Sequence, residues 1–350
     1  MSAPTRVLVV DDSLTVRKRL VELLAADPEL AVVGEAEDGR RAIELCLALQ
    51  PDVITLDMML PVMTGVAVTE YLMAHRPTPI LIVSASTNRG ELHRTYDALA
   101  AGAVDVFDKP VDGGGDEAWA RELIARVKLV ARIKVITHLR GKLGATPGAA
   151  PDGDVARGGP RRLVAIGGST GGPSAVVRIL RQLPATFPCP ILLVLHIGQP
   201  FGLALADWLD AQTGLRVRPA VDGERLAAVP AGHVIMASPD RHLRLTAGQL
   251  RFDDGPPLHS CRPSIDVLFG TLAASAGAAT VACLLTGMGR DGAAGMRALR
   301  DAGALTIAQD EATSVIFGMP REAIALGGAE HVLPLDRIAP TVLRAVGGAR

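Results

Sequence analysis

The sequence has no surplus of charge: 36 lysines and arginines stand against 37 aspartates and glutamates, a formal net charge of -1. No global field draws the chain toward nucleic acid or an anionic membrane, so neither is expected as a partner. A long apolar run is missing too. No stretch reaches the roughly 18 apolar residues of a membrane helix. The run at 7–10 is too short for a signal-peptide core and ends in two aspartates. It reads as a strand, and the chain is expected in the cytoplasm. Paired cysteines are absent: Cys46, Cys189, Cys261 and Cys283 lie far apart with no CxxC. That spacing argues for reduced, mostly buried thiols and against a metal or redox role. No internal repeat suggests a solenoid.

What is present fits two domains, since 350 residues exceed what one hydrophobic core usually serves. From residue 6 to about 134, short apolar runs at 7–10, 32–35, 53–56, 80–83 and 103–107 alternate with helical patterns at 16–25 and 40–49. That alternation predicts a parallel sheet with helices on both faces. A long helix is predicted over 116–139, acidic at its start and basic toward its end, as the helix dipole favours. Residues 141–160 hold Gly, Ala, Pro and Asp with little apolar periodicity and read as linker. A second α/β pattern starts at Arg161, with strands predicted at 163–166, 191–195, 233–236, 282–285 and 306–308. The expectation is α/β throughout: two doubly wound parallel-sheet domains over 1–134 and 161–350, joined by a flexible linker at 135–160.

In a doubly wound sheet, ligands bind at the carboxyl edge of the strands. Asp11 and Asp12 follow the first strand, Asp57 the third, Ser84 the fourth and Lys109 the fifth. Any one aspartate after a strand can be a helix N-cap. Three carboxylates converging on one edge call for a hard divalent cation, and Mg²⁺ suits them. With the hydroxyl of Ser84 and the cation of Lys109, the set reads as a phosphoryl site with a carboxylate nucleophile.

These residues lie in VLVVDDS, ITLDMMLPVMTG, ILIVSAS and FDKP, and the pattern resembles the receiver domains of two-component response regulators. The resemblance implies a flavodoxin-like domain whose Asp57 is phosphorylated by a histidine kinase. It also implies Mg²⁺ on Asp11, Asp12, Asp57 and the carbonyl of Met59, with Ser84 and Lys109 contacting the phosphoryl group. Two positions depart from the pattern: Val106 stands where many receivers carry an aromatic switch residue, and Thr64 replaces an aspartate often found before Gly65.

In the second domain the strand at 163–166 runs straight into Gly167-Gly168-Ser169-Thr170-Gly171-Gly172-Pro173, and a helical pattern comes next. A serine between glycines at such a turn projects its hydroxyl, while amides at the helix start face a developing oxyanion. The glycines could instead cradle a phosphate, although the spacing is not GxGxxG and no P-loop lysine follows. His196 ends the strand at 191–195 on the same edge and is the best-placed base. Asp291, in the loop after the strand at 282–285, is placed to hold the imidazole tautomer. GxSxG invites an α/β-hydrolase reading, but that fold orders its triad Ser, acid, His. The only histidine after Asp291 is His331, which is expected to enter a late edge strand as a structural residue.

The motifs AIGGSTGGP, LHIGQPF, AGHVIMASPDRHL, CRPSIDVLF, LTGMGRDGAAGM and IAQDEATSVIFGMP resemble the catalytic domain of the chemotaxis protein-glutamate methylesterases. The receiver, linker and esterase order matches that family as well. The resemblance implies a Rossmann-like domain with Ser169 as nucleophile, His196 as base and Asp291 as orienting acid. The amides of Thr170 and Met288 would form the oxyanion hole. It further implies hydrolysis of glutamyl methyl esters on methyl-accepting chemoreceptors, deamidation of receptor glutamines, no cofactor for the hydrolysis, and control by a chemotaxis histidine kinase. Ile197-Gly198 stands where relatives often carry Met-Pro after the histidine.

Overall fold

The computed structural model describes residues 3–85, 89–110, 117–133, 135, 161–199 and 201–347. The chain divides into two compact units, Met1–Thr146 and Pro147–Arg350. The expected linker at 135–160 lies, apart from 135, outside the described residues.

In the first unit the elements are β1 (Thr5–Val10), α1 (Leu14–Ala25), β2 (Leu30–Ala36), α2 (Gly39–Leu49), β3 (Val53–Leu56), α3 (Gly65–His75), β4 (Ile80–Ser84), α4 (Arg89–Ala101), β5 (Asp105–Asp108) and α5 (Glu117–Ala131). The strands pair in parallel in the order β2-β1-β3-β4-β5, the flavodoxin-like arrangement. Central parallel strands are covered on both faces, so they read as unbroken apolar runs, and Val7, Leu8, Val9 and Val10 are all buried. The helix starts are capped by Ser13, Asp38 and Thr64, which accept from the amides of Val16, Arg41 and Ala67. Asp11 and Asp12 are therefore not the caps of α1, and Thr64 serves as a cap in place of the usual aspartate.

Several boundaries differ from expectation by a residue or more, and two show how a helix closes. β5 starts at Asp105 instead of 103, because Gly102 and Ala103 still donate to Leu99 and Ala98 to close α4. The helix predicted over 116–139 ends at Ala131, where the amides of Arg132 and Ile133 bond back three residues and tighten the last turn. Of the rest of that span, Asp116 and residues 134 and 136–139 lie outside the described residues.

The second unit runs β6 (Leu163–Gly168), α6 (Gly172–Leu180), β7 (Ile191–Leu195), α7 (Phe201–Gln212), β8 (Arg216–Pro219), β9 (His233–Met236), β10 (His242–Thr246), β11 (Gln249–Asp253), α8 (Ile265–Ala276), β12 (Thr280–Leu284), α9 (Ala293–Asp301), β13 (Leu305–Gln309), α10 (Met319–Ala325), β14 (His331–Leu333) and α11 (Leu335–Gly347). Seven strands pair in parallel in the order β14-β13-β12-β6-β7-β9-β8. The order reverses at β6, between β12 on one side and β7 on the other, and such a switch point opens a crevice at the carboxyl ends of the strands.

β8 and the hairpin of β10 and β11 were not expected. β8 is a four-residue edge strand carrying Arg216 and Arg218, too polar to stand out as an apolar run. The hairpin turns on Ala247 and Gly248, both at positive φ. An alanine there gives none of the Asn-Gly signal such a turn usually shows. Among the described residues no helix is long and apolar enough to cross a membrane.

Candidate functional site

Register brings the expected hydrolytic residues together. Gly168 pairs with Leu195 across β6 and β7, so the next residues, Ser169 and His196, stand at the adjacent ends of strands that run about 4.8 Å apart. The His196 amide donates to Gly168 O at 3.2 Å. On the other side of β6, Gly167 pairs with Leu284 of β12, which lays the loop after β12 along the turn. There the Ser169 amide donates to Thr286 O at 3.0 Å. The turn closes through Gly172 N to Ser169 O at 2.6 Å, and Gly171, at φ 76, leads into α6.

Asp291 is buried and fully engaged. Its Oδ2 accepts from His196 Nε2 and the Ile265 amide, both at 2.7 Å, and its Oδ1 accepts from Ser264 Oγ at 2.7 Å and the Asp266 amide at 3.1 Å. The carboxylate thus sits on the N-terminus of α8, where exposed amides and the helix dipole favour negative charge. Burial works to raise its pKa, but the hydrogen bonds from His196 and Ser264 outweigh it and hold the carboxyl below its ordinary range. For His196, burial works against the charged ring. Its hydrogen bonds to Asp291 and to Cys261 prevail and push its pKa up to about 9. With Nε2 committed to Asp291, Nδ1 is the nitrogen left for chemistry, and its described neighbour is the Cys261 sulfur at 3.5 Å. Among the described contacts the Ser169 hydroxyl makes no hydrogen bond, an arrangement common in resting active sites.

Thr170 is buried behind Ser169, whereas Met288 is 59% exposed at the tip of the facing loop. The Met288 amide has no acceptor among the described residues, which leaves it available to an oxyanion. Gly287 lets this loop approach the turn: a Cβ there would lie 2.7 Å from Ser169 Cβ and would collide with Met319 Sδ. Gly287→Ala is therefore expected to displace the nucleophile and lower kcat about 10²-fold, since misplacement by about 1 Å costs that much. Steady-state ester hydrolysis checks it, and an unchanged kcat would contradict the close approach. His331 opens β14 at the sheet edge, 3.9 Å from Glu330, far in topology from Ser169.

Sequence reasoning missed the residues that hold Asp291, namely Ser264, Ile265 and Asp266, together with His242, whose Nδ1 accepts the Ser264 amide at 3.1 Å. The available signal was Ser264 itself, a polar cap before the apolar run that becomes α8. The cysteines are free and mostly buried, as expected. Cys46, Cys189 and Cys283 are buried, with thiol pKa values raised by burial, but Cys261 is half-buried beside His196.

In the first unit Val10 pairs with Leu56, so Asp11 and Asp57 emerge side by side. Ser84 pairs with Asp108, which places Lys109 next to them. Lys109 Nζ lies 2.7 Å from Asp11 Oδ2 and 2.9 Å from Asp57 Oδ2. Burial works to lower the Lys109 pKa, but the two carboxylates outweigh it and raise it. Burial raises the Asp11 carboxyl above its ordinary range, and the Asp57 charge adds to the shift. Asp12 is exposed, and one carboxylate oxygen from each of Asp11, Asp12 and Asp57 lies within 4.8 Å of the others. Three clustered carboxylates, two of them sharing one ammonium, suit a hard divalent cation. Ser84 is buried at the end of β4, and Met59 stands 41% exposed two residues after Asp57.

Comparison with known proteins finds a family match for each unit. The family model described as CheB methylesterase matches residues 164–342, and that described as response regulator receiver domain matches 7–115. A protein of Anaeromyxobacter dehalogenans named protein-glutamate methylesterase/protein-glutamine glutaminase 2 is 43% identical over 341 residues, 97% of this chain and 96% of that one. One of Nitrosospira multiformis, named protein-glutamate methylesterase/protein-glutamine glutaminase, is 42% identical over 347 residues, with the same coverage of 97% and 96%. Among solved structures, the CheB methylesterase catalytic domain of Thermotoga maritima is 38% identical with a TM-score of 0.50, covering 52% of this chain and 97% of that chain.

Proposed function

The chain belongs to the CheB methylesterase family with a response regulator receiver domain, and from that premise we propose that Ser169, His196 and Asp291 carry its hydrolytic reaction. The enzyme is a phosphorylation-regulated protein-glutamate methylesterase and protein-glutamine glutaminase that acts on chemoreceptors. The observation that carries the assignment is the 2.7 Å bond from His196 Nε2 to Asp291 Oδ2, with Ser169 next to His196 across the parallel strands.

Ser169 Oγ attacks the glutamyl ester carbon and gives its proton to His196 Nδ1. The oxyanion is received by the amides of Thr170 and Met288. Collapse breaks the bond to methoxide, which takes the proton from His196 and leaves as methanol. Water, deprotonated by His196, then cleaves the acyl-enzyme to free glutamate and the serine hydroxyl. With a glutamine side chain the leaving group is ammonia. A serine-directed fluorophosphonate should attach one label per chain, on the peptide carrying Ser169. Labelling elsewhere with full loss of activity would refute the assignment.

The pKa of about 9 makes the neutral imidazole a minority at neutral pH. kcat/KM for ester hydrolysis should thus climb about tenfold per pH unit through neutrality and level off as Nδ1 loses its proton near pH 9. A profile flat across that range would contradict the assignment of His196 as base.

In the receiver, taken as 1–134 with a linker at 135–160 before the esterase at 161–350, Asp57 is the phosphoacceptor and a chemotaxis histidine kinase the donor. Asp11, Asp12, Asp57 and the Met59 carbonyl would hold Mg²⁺, which neutralises charge during phosphoryl transfer. Lys109, now paired with Asp11 and Asp57, and Ser84 then contact the phosphoryl oxygens. Receptor cytoplasmic segments are the substrate, which puts the enzyme in the cytoplasm.

A further inference from the structure

We infer that Cys261 and His196 form a binding site for a soft divalent cation of the Zn²⁺ class, whose occupancy switches the esterase off. Binding stands on geometry alone, while its inhibitory effect rests on the reading of His196 as the base.

Cys261 Sγ lies 3.5 Å from His196 Nδ1. In a tetrahedral zinc site with Zn–S about 2.3 Å and Zn–N about 2.0–2.1 Å, two such ligands stand about 3.6 Å apart. The pair already spans one edge of that tetrahedron. The other ring nitrogen, Nε2, is bonded to Asp291 Oδ2 at 2.7 Å. That is the outer carboxylate which metal-bound histidines commonly have, and it fixes the tautomer with the lone pair on Nδ1. One ligand atom from each of His196, Cys261 and Asp291 falls within 4.8 Å of the others.

Cys261 is also held in place. Leu258 and Cys261 exchange backbone hydrogen bonds of 2.9 and 3.1 Å around His259 and Ser260, both at positive φ, so the thiol rides on a tight turn. Its present partners are Nδ1 and, at 3.4 Å, the His259 carbonyl, which accepts from the thiol. Binding replaces both: the thiol proton and the Nδ1 proton of the charged ring are released to solvent, the thiolate and the freed imidazole lone pair go to the metal, and water fills the remaining positions. Both residues are half-buried, so the ion can enter. Sulfur and imidazole donors prefer Zn²⁺ to Mg²⁺, whereas carboxylates suit Mg²⁺ when it is abundant. Excess Mg²⁺ thus keeps the receiver carboxylates occupied while the sulfur–imidazole pair stays open to Zn²⁺. With Nδ1 bound to metal, the base cannot accept the Ser169 proton.

The test uses the full-length protein with excess Mg²⁺ and titrates Co²⁺ as a spectroscopic probe and Zn²⁺ as inhibitor. A thiolate-to-cobalt charge-transfer band is expected in the wild type and in Ser169→Ala, absent from Cys261→Ala, and displaced by Zn²⁺. Zinc should inhibit wild-type ester hydrolysis at concentrations at least tenfold below those needed for Cys261→Ala, each compared with its own metal-free rate, and a chelator should restore the rate. Thermal melting of Cys261→Ala and of the conservative Cys261→Ser guards against misfolding. The site is overturned if the wild type shows no cobalt–thiolate band or if Cys261→Ala keeps it. A band accompanied by uninhibited hydrolysis would leave the metal site standing and remove His196 from its role as base.

Discussion

Ser169→Ala is expected to lower methyl-ester hydrolysis on the order of 10⁴- to 10⁶-fold, the range seen when a triad nucleophile is removed. The fold should tolerate the change. Ser169 is held through its backbone, by its amide to Thr286 O and its carbonyl to Gly172 N, and among the described contacts its hydroxyl bonds to nothing. Melting temperature and phosphorylation of Asp57 should match the parent protein, because the two sites belong to separate compact units. Methanol release from purified protein measures the loss, and near-parental turnover would exclude Ser169 as nucleophile.

Asp291→Asn is expected to be nearly as damaging, about 10⁴-fold, by the tautomer argument that holds for a comparable triad. All four contacts of the carboxylate come from donors: His196 Nε2, Ser264 Oγ and the amides of Ile265 and Asp266. An asparagine must aim its NH₂ at one pair. Turned to the Oδ2 side, it opposes the Ile265 amide and moves the ring proton to Nδ1, the nitrogen that must accept. Turned to the Oδ1 side, it opposes the Asp266 amide. Some stability should be lost in either case. Ser264→Ala removes one donor and keeps the carboxylate, so it should cost far less activity. If kinetics and thermal melts showed the two variants equally impaired, the role of the Asp291 charge would be wrong.

The parts of this site legible in the sequence are those set by strand ends. The strands at 53–56, 191–195 and 233–236 match the sequence reading to the residue, because a short, largely apolar, β-branched-rich run has little freedom of interpretation. Asp57 and His196 follow such strands directly, and Ser169 lies in the glycine turn after another, so their convergence on a carboxyl edge came with the strand assignment. The support for Asp291 was not legible. Ser264, Ile265 and Asp266 precede it by 25 to 27 residues and reach it only because α8 packs beside β12. Nor was the contact between Cys261 and His196, which joins residues 65 positions apart. At the receiver edge, a single aspartate after a strand is ambiguous between cap and ligand. The cap of α1 proved to be Ser13, which left Asp11 to the carboxylate cluster.

The most direct measurement is methanol release from membranes carrying methylated chemoreceptors, incubated with the purified full-length enzyme in the presence and absence of a small phosphodonor. Release should occur, rise severalfold or more when the donor is added, and stay at its basal rate in Asp57→Asn. No release from receptor membranes, by a preparation that hydrolyses small soluble esters, would contradict the assignment of receptor glutamyl esters as substrate.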